Sequence, residues 1–96
     1  MLEIKIEKSF KKDIDRDKNS GQYSKKDFSI LKSLITSLQI QDKIDPKYKR
    51  HPLKGELKEF ESIHIKNDWL LIFKIDKRYL NLVMLGKHIR IYKKFN

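Results

Sequence analysis

This chain has no cysteine, and only three glycines, two prolines and one tryptophan in 96 residues. Without cysteine there are no disulfide staples, no thiolate-ligated zinc and no thiol nucleophile. No apolar run approaches the roughly 18 residues of a membrane-spanning helix. Residues Met1 to Lys5 alternate in polarity and lack the apolar stretch of a signal peptide, so the expectation is a cytoplasmic protein with no membrane partner. There is no low-complexity segment and no internal repeat. Acidic residues are scarce: 13 Asp and Glu stand against 23 Lys and Arg, for a formal charge of +10. That imbalance favours polyanionic partners: nucleic acid, an acidic protein or an anionic surface.

What remains suits one small domain over residues 1–96, because two would each be too small to close a core. Apolar residues make up 39% of the chain, with five Phe and four Tyr, which is lean but enough to fold. Leu2, Ile4 and Ile6 alternate with Glu3 and Lys5, the period of a half-buried strand. Ser9 is a candidate helix N-cap. Phe10 and Ile14 then share a face, and Asp13, Asp15, Arg16, Asp17 and Lys18 read as solvated surface around them. Asn19–Ser20–Gly21 is a break. Ser24 and Asp27 form a capping box, and Phe28, Leu31, Leu34, Ile35 and Leu38 mark the clearest helix. It should stop before Asp45–Pro46.

Residues 46–55 read as an irregular basic loop. Strands are expected at 57–65, 69–75 and 79–85, with Asp76–Lys77–Arg78 as a hairpin turn. The last two are almost continuously apolar, as central strands covered on both faces would be. Residues 87–96 form a basic tail, either a short strand or a helical turn. The order β-α-α-β-β-β predicts an α+β fold, an antiparallel sheet packed against two N-terminal helices, with its other face free to hold a site.

The chain has three histidines: His51 in the basic loop, His64 near a strand end and His88 after Gly86. Alternation places Phe60, Ser62 and His64 away from the helices, and Asp68 and Trp69 follow at the next turn. His88 reaches the same sheet end only if the tail folds back. Imidazole titrates near neutrality, so such a cluster can give and take protons. Cations surround it: Lys49, Arg50 and Lys54 in the loop, Lys87 and Arg90 in the tail. Histidines among cations suit RNA cleavage without a metal, in which a 2′-hydroxyl attacks the adjacent phosphate. The histidine spacing matches no metal-ligand motif, and no Gly-rich phosphate loop, Ser-His-Asp motif or paired catalytic carboxylate is present. No cofactor is implied.

Four stretches carry a family resemblance: Gly21 to Lys25, Tyr48 to Gly55, His64 to Lys74 and Leu85 to His88. The HPLxG loop, the HxxxDW segment and the GxH ending, in this order, resemble the YafQ-like branch of the RelE/ParE toxin superfamily over about residues 1–92. The resemblance implies a compact RelE-type fold and the toxin of a bacterial type II toxin–antitoxin pair. It implies a ribosome-dependent mRNA endonuclease acting in the A site, with a cognate antitoxin, the ribosome and mRNA as partners. Charge complementarity makes that antitoxin acidic, and family habit makes it partly disordered until bound.

The family positions implicated in cleavage fall on His51, His64, Asp68, Trp69, His88 and Tyr92. Chemistry suggests roles for them. His88 would protonate the leaving oxygen, Asp68 or His51 would take the 2′-OH proton, and His64 would orient the phosphate. Trp69 would wall the pocket, and Tyr92 would stack on a base. Lys49, Arg50, Lys54, Lys87 and Arg90 would bind the backbone. The chain departs from the family at Met84 and Glu61, where Arg is frequent, and both changes would remove a cation near the phosphate path. It has Tyr92 for the usual Phe, and Lys93 to Asn96 extend the end. Two other readings compete: a non-enzymatic ParE-like gyrase inhibitor, and an RNA- or ribosome-binding module that has lost catalysis.

Overall fold

The computed structural model describes residues 1–95; Asn96 and the side chain of Phe95, the end of the extended tail, lie outside the described residues. Chain order is β1 (Glu3–Ile6), α1 (Lys8–Asn19), α2 (Lys25–Gln39), a 3-10 turn (Pro46–Tyr48), β2 (His51–Pro52), a second 3-10 turn (Gly55–Leu57), β3 (Glu61–Lys66), β4 (Trp69–Asp76), β5 (Tyr79–Gly86) and α3 (His88–Phe95). The five strands form one sheet in the order β1-β5-β4-β3-β2. No helix among the described residues is long and apolar enough to cross a membrane.

The expected α+β architecture is present, with one change in the sheet. β2 to β5 pair antiparallel, but β1 runs parallel to β5, with Ile4 opposite Leu80. Alternating polarity marks β1 as a strand without saying which strand it joins. The long excursion through α1 and α2 allows the crossover that a parallel pair needs. The strand expected from residue 57 begins at Glu61, because residues 55–57 coil into a 3-10 turn opened by Gly55 at φ +69°. The two-residue turn Lys77–Arg78 lacks glycine, so Lys77 itself takes the left-handed conformation, at φ 56°.

Ser24 caps α2 as expected. Its hydroxyl accepts from the Asp27 N–H, and the Asp27 carboxylate accepts from the Ser24 N–H. Those bonds, the backbone N–H of Ser24 first and then the pairing with Lys66, hold the Asp27 carboxyl below its ordinary range. Leu31, Leu34 and Leu38 then bury one face of α2 against the sheet. α2 ends at Gln39, short of Asp45–Pro46. The Ser9 expectation fails: α1 starts at Lys8 after Glu7, and the Ser9 hydroxyl donates to the Val83 carbonyl instead. Asp13 and Asp17 are buried, not solvated.

β4 and β5 are covered on both faces, which explains their continuous apolar runs. Trp69, Leu71 and Phe73 face α1 and α2 within the main core, while Leu70 and Ile72 face the other way. There they meet Met84 and Ile91, with Leu53, Phe60 and Val83 at the margin. Each fully buried side chain of this size contributes about 1.5–3 kcal/mol. The face expected to be open is therefore largely closed by α3, and the site is confined to the sheet end where β2, β3 and α3 meet. The tail expected as a strand or turn is a two-turn helix.

Candidate active site

Strand register brings the histidines together. His51 pairs with Ser62 across β2 and β3. Two residues further along β3, His64 pairs with Leu70, and Leu70 pairs with Gly86. Counting two residues back from Leu70 reaches Asp68, and two forward from Gly86 reaches His88. The β4–β5 hairpin therefore sets Asp68 opposite His88. The result is a row: His51 to His64 is 6.1 Å between ring centroids, His64 to His88 is 5.1 Å, and His88 to Tyr92 is 5.8 Å.

Each ring has a different setting. His51 Nδ1 lies 3.0 Å from the Pro52 carbonyl, which only accepts, so that nitrogen carries the proton. Its Nε2 then accepts from the Ser62 hydroxyl at 3.1 Å. His64 is half-buried, and its pKa is lowered by burial first, then by His88, Lys49 and His51. Burial there favours its neutral form. Asp68 Oδ1 accepts from the His88 backbone N–H at 2.8 Å and from His88 Nδ1 at 2.7 Å. These two bonds, the backbone one first, hold the Asp68 carboxyl below its ordinary range. As a carboxylate it accepts from Nδ1–H, which fixes that tautomer of His88 and leaves Nε2 free. The same oxygen caps α3, whose first turn has an orphan N–H there.

The predicted binding residues separate into groups. Lys49, in the left-handed conformation at φ 50°, lines a hollow of about 290 Å³ with Lys47, Tyr48, His64 and Lys66. Lys54 and Tyr92 line another of about 340 Å³ with His51, Pro52, Leu53 and Leu57. Lys87 and Arg90 border a third of about 240 Å³ beside Tyr23. Tyr92 is 54% exposed, open enough to meet a base. Arg50 is not a free cation. It pairs twice with Glu61, at 2.8 and 3.2 Å, so one departure from the family pattern neutralises a candidate phosphate ligand. Met84, the other departure, lies in the apolar layer beneath α3, off any phosphate path.

Trp69 does not wall the pocket. It is fully buried on the helix side, stacked on Tyr23 at 4.0 Å, and its indole N–H donates to Asp17 at 2.8 Å. Asp17 in turn contributes, after burial, to the raised pKa of Tyr23. Sequence reading missed Ser62, Asp13 and Asp17. Ser62 was on the correct face, and the hairpin register would have found it. Helical spacing could have found Asp13 and Asp17, which share the face of Phe10 and Ile14 whereas the exposed Asp15 does not, but nothing local names their partners. Among the described residues, no three His, Asp or Glu side chains are grouped to hold a metal ion.

Residues 2–93 match the model of a family described as the bacterial toxin of type II toxin–antitoxin systems, YafQ. The chain belongs to the YafQ toxin family. An mRNA interferase toxin YafQ from Escherichia coli K12 is 37% identical over 83 residues, covering 76% of this chain and 90% of that protein. A metal-bound toxin from Helicobacter pylori superposes with a TM-score of 0.84 at 36% identity, covering 95% of this chain and 99% of the other. The E. coli DinJ–YafQ complex contains a chain with a TM-score of 0.83 at 27% identity, covering 96% and 99%. This YafQ-family toxin has the α+β fold of those solved structures.

Proposed function

We propose that this YafQ-family toxin is an mRNA interferase that cuts mRNA in the ribosomal A site by acid–base chemistry requiring no metal ion. The observation that carries the reading is the row of three histidines with a carboxylate fixed on the last. His64, neutral through burial, accepts the proton of the 2′-hydroxyl. The 2′-oxygen attacks phosphorus and the P–O5′ bond breaks. His88, its Nδ1 held by Asp68, gives its Nε2 proton to the departing 5′-oxygen. A 2′,3′-cyclic phosphate and a 5′-hydroxyl result. Lys49, in the same hollow as His64, stabilises the charge on the phosphate. His51, with both ring nitrogens engaged, orients the phosphate side of the row and does not take the proton. Tyr92 stacks on a base next to the cut.

The partners are the ribosome with its mRNA and a type II antitoxin. A relative assembles with a partner in the DinJ–YafQ complex, and the +10 charge suits an acidic antitoxin. Primer extension on a defined mRNA in a purified translation system tests the reading. Cuts in register with codons, dependent on ribosomes and lost in His88→Ala, are expected. Arrested growth with intact mRNA would overturn the reading and favour a non-enzymatic toxin.

A further inference from the structure

Helix α1 contributes nothing to the histidine row, yet it buries two carboxylates against the ends of β4 and β5 and ties them with a half-buried guanidinium. Asp13 Oδ2 accepts from the Leu85 N–H at 2.9 Å, and Arg16 Nη2 donates to the Leu85 carbonyl at 2.9 Å. Asp17 Oδ2 accepts from the Trp69 indole at 2.8 Å. Arg16 ties the two acids together, with Nη1 at 2.6 Å from Asp13 and Nε at 3.0 Å from Asp17. Asp13 and Asp17 are 7% and 6% exposed. Burial opposes the Arg16 charge, but its bonds to Asp17 and Asp13 outweigh that and raise its pKa. Gly86 fits the arrangement: a Cβ there would sit 3.3 Å from Arg16 Nη2.

The gripped residues are not arbitrary. Trp69 is the first residue of β4, directly after Asp68, and Leu85 is three residues before His88. The helix therefore holds the two strand ends from which the candidate orienting carboxylate and the candidate acid emerge. An apolar α1 face suffices to cover the core, and Phe10 and Ile14 already supply it. A buried ionic cluster is a costly way to add stability alone, because desolvation offsets most of its gain. What it adds is directional: each bond fixes one strand end in one place.

We propose that Asp13, Arg16 and Asp17 are positioning residues, which set the Asp68–His88 hydrogen bond by clamping Leu85 and Trp69. The proposal gives buried Trp69 a role without substrate contact. It rests on the acid–base reading above for its kinetic readout, but not for its spectroscopic one. The His88 ring sees Asp68, His64 and Tyr92, with Lys87 preceding it in the chain, and none of these changes in the variants used.

The test uses the full chain carrying Trp69→Phe, which keeps an aromatic ring against Tyr23 but loses the indole donor. Asp17→Asn asks the same question should that variant fail to fold. Leu80→Val, in the core near the other end of β5, controls for lost stability alone. The first readout is the His88 Nδ1–H proton and ring ¹⁵N shifts by NMR, without substrate. The second is kcat and KM for cleavage on programmed ribosomes. The clamp predicts a weakened Nδ1–H signal, with a mixed tautomer, in Trp69→Phe and Asp17→Asn but not in Leu80→Val. It predicts kcat reduced about ten- to a hundredfold with KM within about twofold. An unmoved His88 spectrum in a folded variant overturns the proposal, whatever happens to kcat. A moved spectrum in a protein that cleaves no RNA even when unaltered would keep the clamp and remove the nuclease.

Discussion

Replacing Asp68 separates two tasks performed by a single oxygen. Oδ1 caps α3 through the His88 N–H at 2.8 Å and fixes the imidazole through Nδ1 at 2.7 Å. Asp68→Asn keeps an acceptor for both bonds and removes only the charge. Asp68→Ala removes everything. A helix cap is worth about 1 kcal/mol, and Asn caps as well as Asp. An exposed ion pair is worth about 0.2–1 kcal/mol, and the two side chains here are 57% and 34% exposed. At about 1.36 kcal/mol per decade, losing that pair is worth roughly a 1.4- to 5-fold change in rate. Asp68→Asn should therefore slow cleavage by less than about tenfold and leave the melting midpoint nearly unchanged. Asp68→Ala, which loses the orienting bond as well, should slow cleavage at least about ten- to a hundredfold and lower the midpoint by about 4–8 °C. His88→Ala, which deletes the acid itself, should cost about 10²–10⁴ in rate. Single-turnover cleavage on programmed ribosomes and thermal melts by circular dichroism measure all three. If Asp68→Asn is as inactive as His88→Ala, Asp68 moves a proton itself and the orienting role is wrong. If Asp68→Ala melts with the unaltered protein, the cap is wrong.

Three further perturbations have defined outcomes. Glu61→Gln releases Arg50, so the logarithmic salt dependence of RNA binding should steepen by about 0.7; an unchanged slope would mean Arg50 never reaches a phosphate. The lowered pKa of His64 means the unfolded chain binds that proton first as pH falls. Its contribution to stability is complete above the unfolded value of about 6.5 and is lost below it, so urea unfolding of the unaltered protein should weaken from pH 7.5 to 5.5 more than that of His64→Gln. Gly86→Ala crowds Arg16 and Arg90 and should destabilise by about 1 kcal/mol, read as a lower melting midpoint; an equal or higher one would show that both side chains simply step aside.

The elements that sequence made legible are those with a local cause. α2 announces itself through Ser24, Asp27 and its leucines, and β4 and β5 through apolar runs bounded by Asp68, the Lys77–Arg78 turn and Gly86. The three histidines were legible through their motifs, and the pairing of Asp68 with His88 is implicit in the register of one hairpin. What escaped depends on partners far along the chain. Helical spacing puts Asp13 and Asp17 on the face of Phe10 and Ile14, but what they bind there, Leu85 and Trp69, lies 72 and 52 residues away. Parallel β1 and the neutralised Arg50 escaped for the same reason: neither carries a local mark of its partner.

The shortest strand has a consequence for how this protein fails. β2 is two residues long and is held to β3 by the pairings His51–Ser62 and Pro52–Glu61, the Leu53 to Phe60 bond, and the Arg50–Glu61 contact. Everything on it is close to solvent, whereas β4 and β5 are fixed by two layers of apolar side chains. Local opening costs least where few buried contacts must be broken. As denaturant or temperature rises, the first step should be the peeling away of His51 with the main core intact. Loss of cleavage would then come before unfolding: a toxin that is still compact and already harmless.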